Sequence, residues 1–183
     1  MKIKNFFGHL HTVNKHRWCV FKLSVRAGIP IRGLLHDLSK YSFVEFFEGV
    51  KYYNGKRSPI HFCKEANGYS NAWLHHKGRN KHHFEYWYDF ALEEKAIVIP
   101  QKYAFEMVCD TLAAGIVYKG KAWNQKEPLK YFEARKDKEY INPKIQDFLV
   151  AVYTEVAEKG IKEVVTNKNL KRLYSKYVNN VSK

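Results

Sequence analysis

A histidine and an aspartate stand side by side inside an apolar stretch: Ile31, Leu34 and Leu35 lead directly into His36-Asp37-Leu38-Ser39-Lys40. Burying an unpaired carboxylate costs several kcal/mol, so a fold that takes this pair inward must bring it a partner. A divalent metal satisfies both side chains at once, through an imidazole nitrogen and a carboxylate oxygen. A hydrogen-bonded His-Asp pair at a helix end would also satisfy them, and the rest of the chain has to decide between the two.

The apolar spacing is helical throughout. Residues 5–27 read as a first helix on Phe6, Leu10, Val13 and Val20, stopped by Gly28 and Pro30. His9 and His16 are seven apart and share about one face, with His16 between Val13 and Val20. A short helix from Ile31 ends in the His-Asp pair, and Ser42-Phe43-Val44-Glu45 is a capping box opening the next, which runs to about Tyr53. Residues 54–69 read as a loop, through two Asn-Gly pairs and a Ser-Pro, and form a candidate lid. Ser70 caps a helix that enters the histidine-rich stretch, Pro100 starts a helix over 101–118, Asn142-Pro143 starts another that ends at Gly160, and a last one carries Leu170, Leu173, Tyr174 and Tyr177. No strand alternation, repeat or low-complexity segment occurs. The expected fold is all-α: one helical bundle over 1–183, with a metal-site core over about 9–118 and structural C-terminal helices over 142–178.

Seven of the nine histidines fall at 9, 16, 36, 75, 76, 82 and 83, leaving His11 and His61. Four helical segments thus present metal-competent residues: His16, then His36-Asp37, then the cluster over 75–83, then Asp110. Inward-facing ligands of this kind converge in helix-bundle metal sites. His76, Asn80 and His83 follow i, i+4, i+7 and share a face if the helix runs unbroken through Gly78, with His75 and His82 on the neighbouring stripe. Of His9, His11 and His16, His16 fits best as first ligand; which of His75, His76, His82 and His83 bind stays open at this stage.

Hydrophobic residues make up 45% of the chain, which is enough for a packed core, and no apolar run approaches the length needed to span a bilayer. The N-terminus has lysines but no signal-peptide pattern, and Cys19, Cys63 and Cys109 form no Cys-x-x-Cys pair, so reduced thiols in a cytoplasm are expected. The net charge of +14 is spread along the whole chain. A field of that sign recruits phosphates, whether nucleotides or nucleic acid, without marking a dedicated nucleic-acid arm.

The order His16, His36-Asp37, Asp110 resembles the HD-domain superfamily of metal-dependent phosphohydrolases, whose pattern is His, His-Asp, Asp on an all-α scaffold. Lys40 is similar to the lysine of the superfamily's His-Asp-x-Gly-Lys variant, with Ser39 in place of its glycine. Residues 33–42 and 73–83 also resemble an uncharacterised family of short bacterial and phage proteins, over about 9–135. The resemblance implies a metal centre of His16, His36, Asp37 and Asp110, with His76, His82 and His83 available to a second ion. The ions implied are one or two divalent transition metals (Fe, Mn, Co, Zn or Ni).

Two functions follow as expectations. The first is hydrolysis of a nucleotide or other phosphate ester, with Asp37 and Lys40 catalytic and Lys77, Arg79 and Asn80 binding substrate. Oxygenase chemistry at a di-iron pair is a variant of it. The second is a basic nucleic-acid-binding module, with a structural metal or none, gripping through His, Arg, Trp and Tyr over 73–88.

Overall fold

The computed structural model describes residues 2–135 and 137–179. Within them the chain is helical, with no strand and a single antiparallel bridge between Tyr88 and Ala96. The order is α1 (Ile3–Arg26), α2 (Pro30–Leu35), α3 (Phe43–Lys51), α4 (Pro59–Asn67), α5 (Asn71–Lys77), α6 (Gln101–Lys119), α7 (Glu127–Glu133), α8 (Pro143–Lys159), α9 (Ile161–Val164) and α10 (Asn167–Tyr174). Short 3₁₀ turns at Leu38–Tyr41 and Phe84–Trp87 interrupt the first half. None of the helices is long and apolar enough to cross a membrane.

Helix α6 is the centre because its buried residues run almost all round it: Ala104 to Cys109, then Leu112 and Ala113. A helix apolar on nearly every side has to be wrapped by others. Helix α1 covers one side of it. On the other, Phe105 stacks on Phe148 of α8, and Tyr174 of α10 packs edge-on against both. Cys19, Cys63 and Cys109 are free thiols, the last two buried.

Several helix starts follow the sequence. Ser42 accepts from the Glu45 amide and Ser70 from the Trp73 amide, while Asn142 caps α8 through the Lys144 amide. Only half of the capping box forms, because the Glu45 carboxylate turns to histidines instead of back to Ser42. The expected loop over 54–69 is a correction: it contains α4. Its Ser-Pro and Asn-Gly pairs are the two ends of that helix, with Pro59 in the first turn and Gly68 as C-cap at φ 78°. The continuity through Gly78 that the sequence left open is settled: the helix stops at Lys77, with Gly78 as its C-cap. Helices α7 and α9 had no counterpart in the sequence reading.

Helices α1 and α2 approach so closely at Gly33 that a Cβ there would lie 2.3 Å from the Ser24 Cβ and 3.2 Å from the Phe21 Cα. Neither neighbour is a flexible side-chain end, so Gly33→Ala should cost about 1–3 kcal/mol as overpacking. Because α2 delivers His36 and Asp37, the same substitution should also weaken metal binding. Urea denaturation and metal titration of the variant check both effects; unchanged stability would show that the contact yields freely.

Candidate metal centre

The buried face of α1 is His9, Val13, His16, Val20 and Leu23, the stripe a 3.6-residue repeat dictates. One turn along, Arg17 reaches across to the end of α2, donating to the His36 carbonyl at 2.8 Å and the Leu34 carbonyl at 2.8 Å. These carbonyls have no partner within a six-residue helix, so the guanidinium serves as their cap. The next residue, Asp37, sits at φ 53°, ψ 30°, the one non-glycine with positive φ among the described residues. Such a conformation costs about 1 kcal/mol or more and persists where surroundings over-determine it. Here it turns a 2% exposed carboxylate into the bundle and hands the chain to the 3₁₀ turn that carries Lys40.

Three side chains meet Asp37 on one side. His16 Nε2 lies 3.1 Å from Asp110 Oδ1, 3.3 Å from His36 Nε2 and 3.7 Å from Asp37 Oδ2. His36 Nε2 lies 3.2 Å from Asp37 Oδ2 and 3.6 Å from Asp110 Oδ1. Ligands held at about 2.1 Å from one tetrahedral ion stand about 3.4 Å from each other, so this is the spacing of a first coordination sphere. His36 Nδ1 is engaged by Glu106 Oε1 at 3.0 Å. Donation there leaves Nε2 as the ring atom facing two carboxylates, an arrangement that calls for positive charge, either a second ring proton or a metal ion in its place.

The other oxygen of Asp37 faces a second group. Oδ1 has no hydrogen-bond partner, although His76 Nε2 is 3.3 Å and His82 Nε2 3.4 Å away. His83 completes this set; its Nε2 and that of His82 are likewise buried without a partner. His76 Nδ1 bonds Glu45 Oε2 at 2.8 Å, so its Nε2 also turns a lone pair toward a carboxylate oxygen. The residues of each group offer ligand atoms within 4.8 Å of one another, and each group can hold a metal ion. A third such group, His36, His82 and Glu106, overlaps both.

Metal ligands must be deprotonated to bind, and Asp37, Asp110, His76 and His83 are shifted toward that form. Burial works against charge on Asp37, but His36, Lys40 and His76 outweigh it and hold the carboxyl well below its usual range. Asp110, half-buried, is likewise held well below its usual range, the cost of desolvation being outweighed by His16 and His36. Burial, with the neighbouring His82 and His76, pushes His83 well down and keeps it neutral. Burial and Lys40 lower His76. His36 runs the other way: burial opposes its charge, but Asp37, Asp110 and Glu106 raise it well above the usual value. Glu106 is itself gripped by Arg32 at 2.6 and 2.8 Å, and against the cost of burial the His36 hydrogen bond and the His82 imidazole 3.3 Å away bring it to about 2.

The metal-competent atoms open on a cavity of about 630 Å³. Of the residues expected from sequence, His16, Asp37, Lys40, His76, His82, His83 and Asp110 line it, and His36 stands behind them, fully buried. Lys40 Nζ is 3.2 Å from Asp37 Oδ2. The expected substrate-binding residues are not brought to the cavity wall: Lys77 and Arg79 lie outside it, Arg79 exposed and donating to the His75 carbonyl. Helix α5 ends at Lys77, and the turns that follow, in which the Asn80 amide still donates to the His76 carbonyl at 3.1 Å, bring His82 and His83 to the wall. Asn80 is also off the wall; it donates to Ser39 Oγ and the His76 carbonyl, bracing the histidine. The cations that do line the cavity, besides Lys40, are Lys64, Lys119 and Arg135.

His75 bonds Glu45 Oε1 at 2.6 Å and belongs to none of the metal groups; nor does His9, which packs over Gly49, and His11 is exposed. Glu45, Glu106, Arg17 and Arg32 position ligands without having been singled out for it. Glu106, four residues before Asp110, carried the one signal that pointed to it, a buried-face spacing. The C-terminal helix α8, taken as purely structural, lends Leu149 and Tyr153 to the cavity wall.

Comparison with known proteins places the chain without assigning it an activity. No curated protein and no solved structure matches it. A family model does, over residues 5–155, and it spans every metal-competent residue described above. The chain therefore belongs to that family, described as Family of unknown function (DUF5662).

Proposed function

We propose that this chain is a metal-dependent phosphohydrolase of HD-domain type, acting on a nucleotide or another phosphate ester. Asp37 carries the reading. Its two oxygens face separate donor groups, His16, His36 and Asp110 on one side and His76, His82 and His83 on the other, as a carboxylate bridging two ions does. Mixed imidazole and carboxylate donors suit Mn, Fe, Co, Ni or Zn better than Mg or Ca. Two divalent ions so placed supply an ionised water near neutral pH and draw charge from a phosphoryl group.

The protein's own groups fit around that chemistry. Glu106 and Glu45 fix the tautomers and ring orientations of His36 and His76. Lys40, on the cavity wall beside Asp37, offers a fixed positive charge to phosphoryl oxygens. Tyr118 lines the same cavity; burial raises its pKa against the pull of Lys40, so it stays a phenol able to donate a proton to a leaving oxygen. The basic net charge favours arrival of an anionic substrate. A nucleic-acid surface over 73–88 draws less support, because His76 and His82 are each 1% exposed and point inward.

Protein purified without added metal should carry divalent transition metal by elemental analysis and cleave bis(p-nitrophenyl) phosphate. Asp37→Asn keeps a residue that tolerates the left-handed backbone, so the variant should fold, yet it should lose metal and drop in rate by about 10³-fold or more. A metal-replete, active Asp37→Asn protein overturns the proposal.

Glu45 touches only the second group through His76, so Glu45→Gln should weaken one ion by about 10–100-fold and spare the other. Metal titration should then resolve one tight and one weak site. Equal loss at both sites would mean that Glu45 supports the fold as a whole and not the second group.

A further inference from the structure

The cavity is larger than two ions and a phosphoryl group need. Past the metal-competent residues it continues into a chamber walled by Phe84, Met107, Tyr131, Phe132 and Tyr153. At about 630 Å³ the whole cavity is of the size that takes an organic ligand of several rings or groups. Phe132 and Tyr153 have ring centroids 6.0 Å apart, and the Arg135 guanidinium lies 4.7 Å from the centre of the Phe84 ring and 5.8 Å from that of Tyr131. Such aromatic walls suit a flat ring.

The chamber also holds an acceptor with nothing to accept from. Glu85 lines the cavity, and among the described residues Glu85 Oε2 is buried without a hydrogen-bond partner. The cation nearest in character, Arg135, is already committed to Asp137, in a two-pronged pair at 2.9 and 2.7 Å. Trp123, another lining residue, has a buried Nε1 donor that is equally unpartnered. Leaving a buried carboxylate oxygen unpaired is costly, and such a group in a ligand-sized cavity marks where a ligand's donor fits. Glu85 follows His83 by two residues, so their α-carbons are at most about 7 Å apart.

We propose that this chamber is a base-recognition pocket, in which Glu85 accepts hydrogen bonds from the amino edge of a nucleobase while the phosphate lies at the metal centre. The inference rests on the phosphohydrolase reading for its second half only. A carboxylate accepts from the exocyclic amino groups of guanine, cytosine or adenine. Uracil sets carbonyl oxygens on both sides of its one N–H and would meet Glu85 with repulsion. Glu85 is thereby the residue that selects among substrates, and the aromatic walls hold whichever ring it admits.

Nucleosides test this without engaging the hydrolytic step, since they carry no phosphate ester. Binding of guanosine, cytidine, adenosine and uridine to the full chain, followed by calorimetry, should give at least one amino-bearing nucleoside bound about tenfold tighter than uridine. Glu85→Gln, with its fold checked by circular dichroism, should remove that preference, whereas hydrolysis of bis(p-nitrophenyl) phosphate should persist. Four nucleosides binding alike, none binding, or a preference that survives Glu85→Gln overturns the pocket and leaves the hydrolase reading standing. Selective nucleoside binding by a chain that hydrolyses no phosphate ester overturns the hydrolase reading and leaves the pocket.

Discussion

Asp37 is the point on which the rest of the fold turns. Its carboxylate is buried in the bundle on a left-handed backbone, and both oxygens face imidazole nitrogens. An uncompensated charge there would cost more than a domain of this size can lose. The compensation comes from almost every element of the first two-thirds of the chain. Helix α1 supplies His16, the end of α2 supplies His36, α5 and the turn after it supply His76, His82 and His83, and α6 supplies Asp110. The local conformation is held from outside the site, by Arg17 on the α2 carbonyls and by Gly33 letting α2 lie against α1.

The supporting carboxylates follow the same logic one layer out. Glu106 fixes His36 and is fixed in turn by Arg32; Glu45 fixes His76 and His75. Each orients an imidazole so that its free nitrogen points at Asp37. The field that holds a proton on His36, despite complete burial, is the field of Asp37, Asp110 and Glu106. A divalent cation placed between those groups answers the same excess of negative charge, and does so for both oxygens of Asp37 at once.

How much of this was legible in the sequence depended on whether the governing contacts are local. The stripe His9, Val13, His16, Val20 needs only the helical period, and the structure buries all four. Pro100, Asn142-Pro143 and Ser70 mark helix starts through backbone chemistry that acts within four residues. The failures share the opposite property. Residues 54–69 hold the punctuation of a loop, but Pro59 and Gly68 bracket a helix whose buried residue Cys63 is fixed by packing. His83 reaches the site through the turns that follow α5 and not along one unbroken helix, so its i, i+7 spacing from His76 did not by itself place it, and His82, on the neighbouring stripe by that count, comes in beside it. Glu45 satisfies the capping-box pattern, yet its carboxylate goes to histidines some thirty residues on, a choice no local rule contains.

The misplacement of Lys77 and Arg79 is instructive for the same reason. A basic residue next to a histidine cluster suggests phosphate binding only where it shares the cavity wall, and these two lie off it. The positive charge that faces the cavity comes from dispersed positions: Lys40 beside Asp37, Lys64 on α4, Lys119 at the end of α6, and Arg135 after α7. Their partners then sort the roles they could take. Lys40 is tied to a metal-competent carboxylate; Arg135 is tied to Asp137 and stacked on aromatic rings, so it shapes the aromatic end of the cavity instead. On the proposed reading, a cavity built this way would separate the charge that drives chemistry from the surface that chooses the substrate. That separation would let one buried acceptor, Glu85, set specificity without disturbing the centre around Asp37.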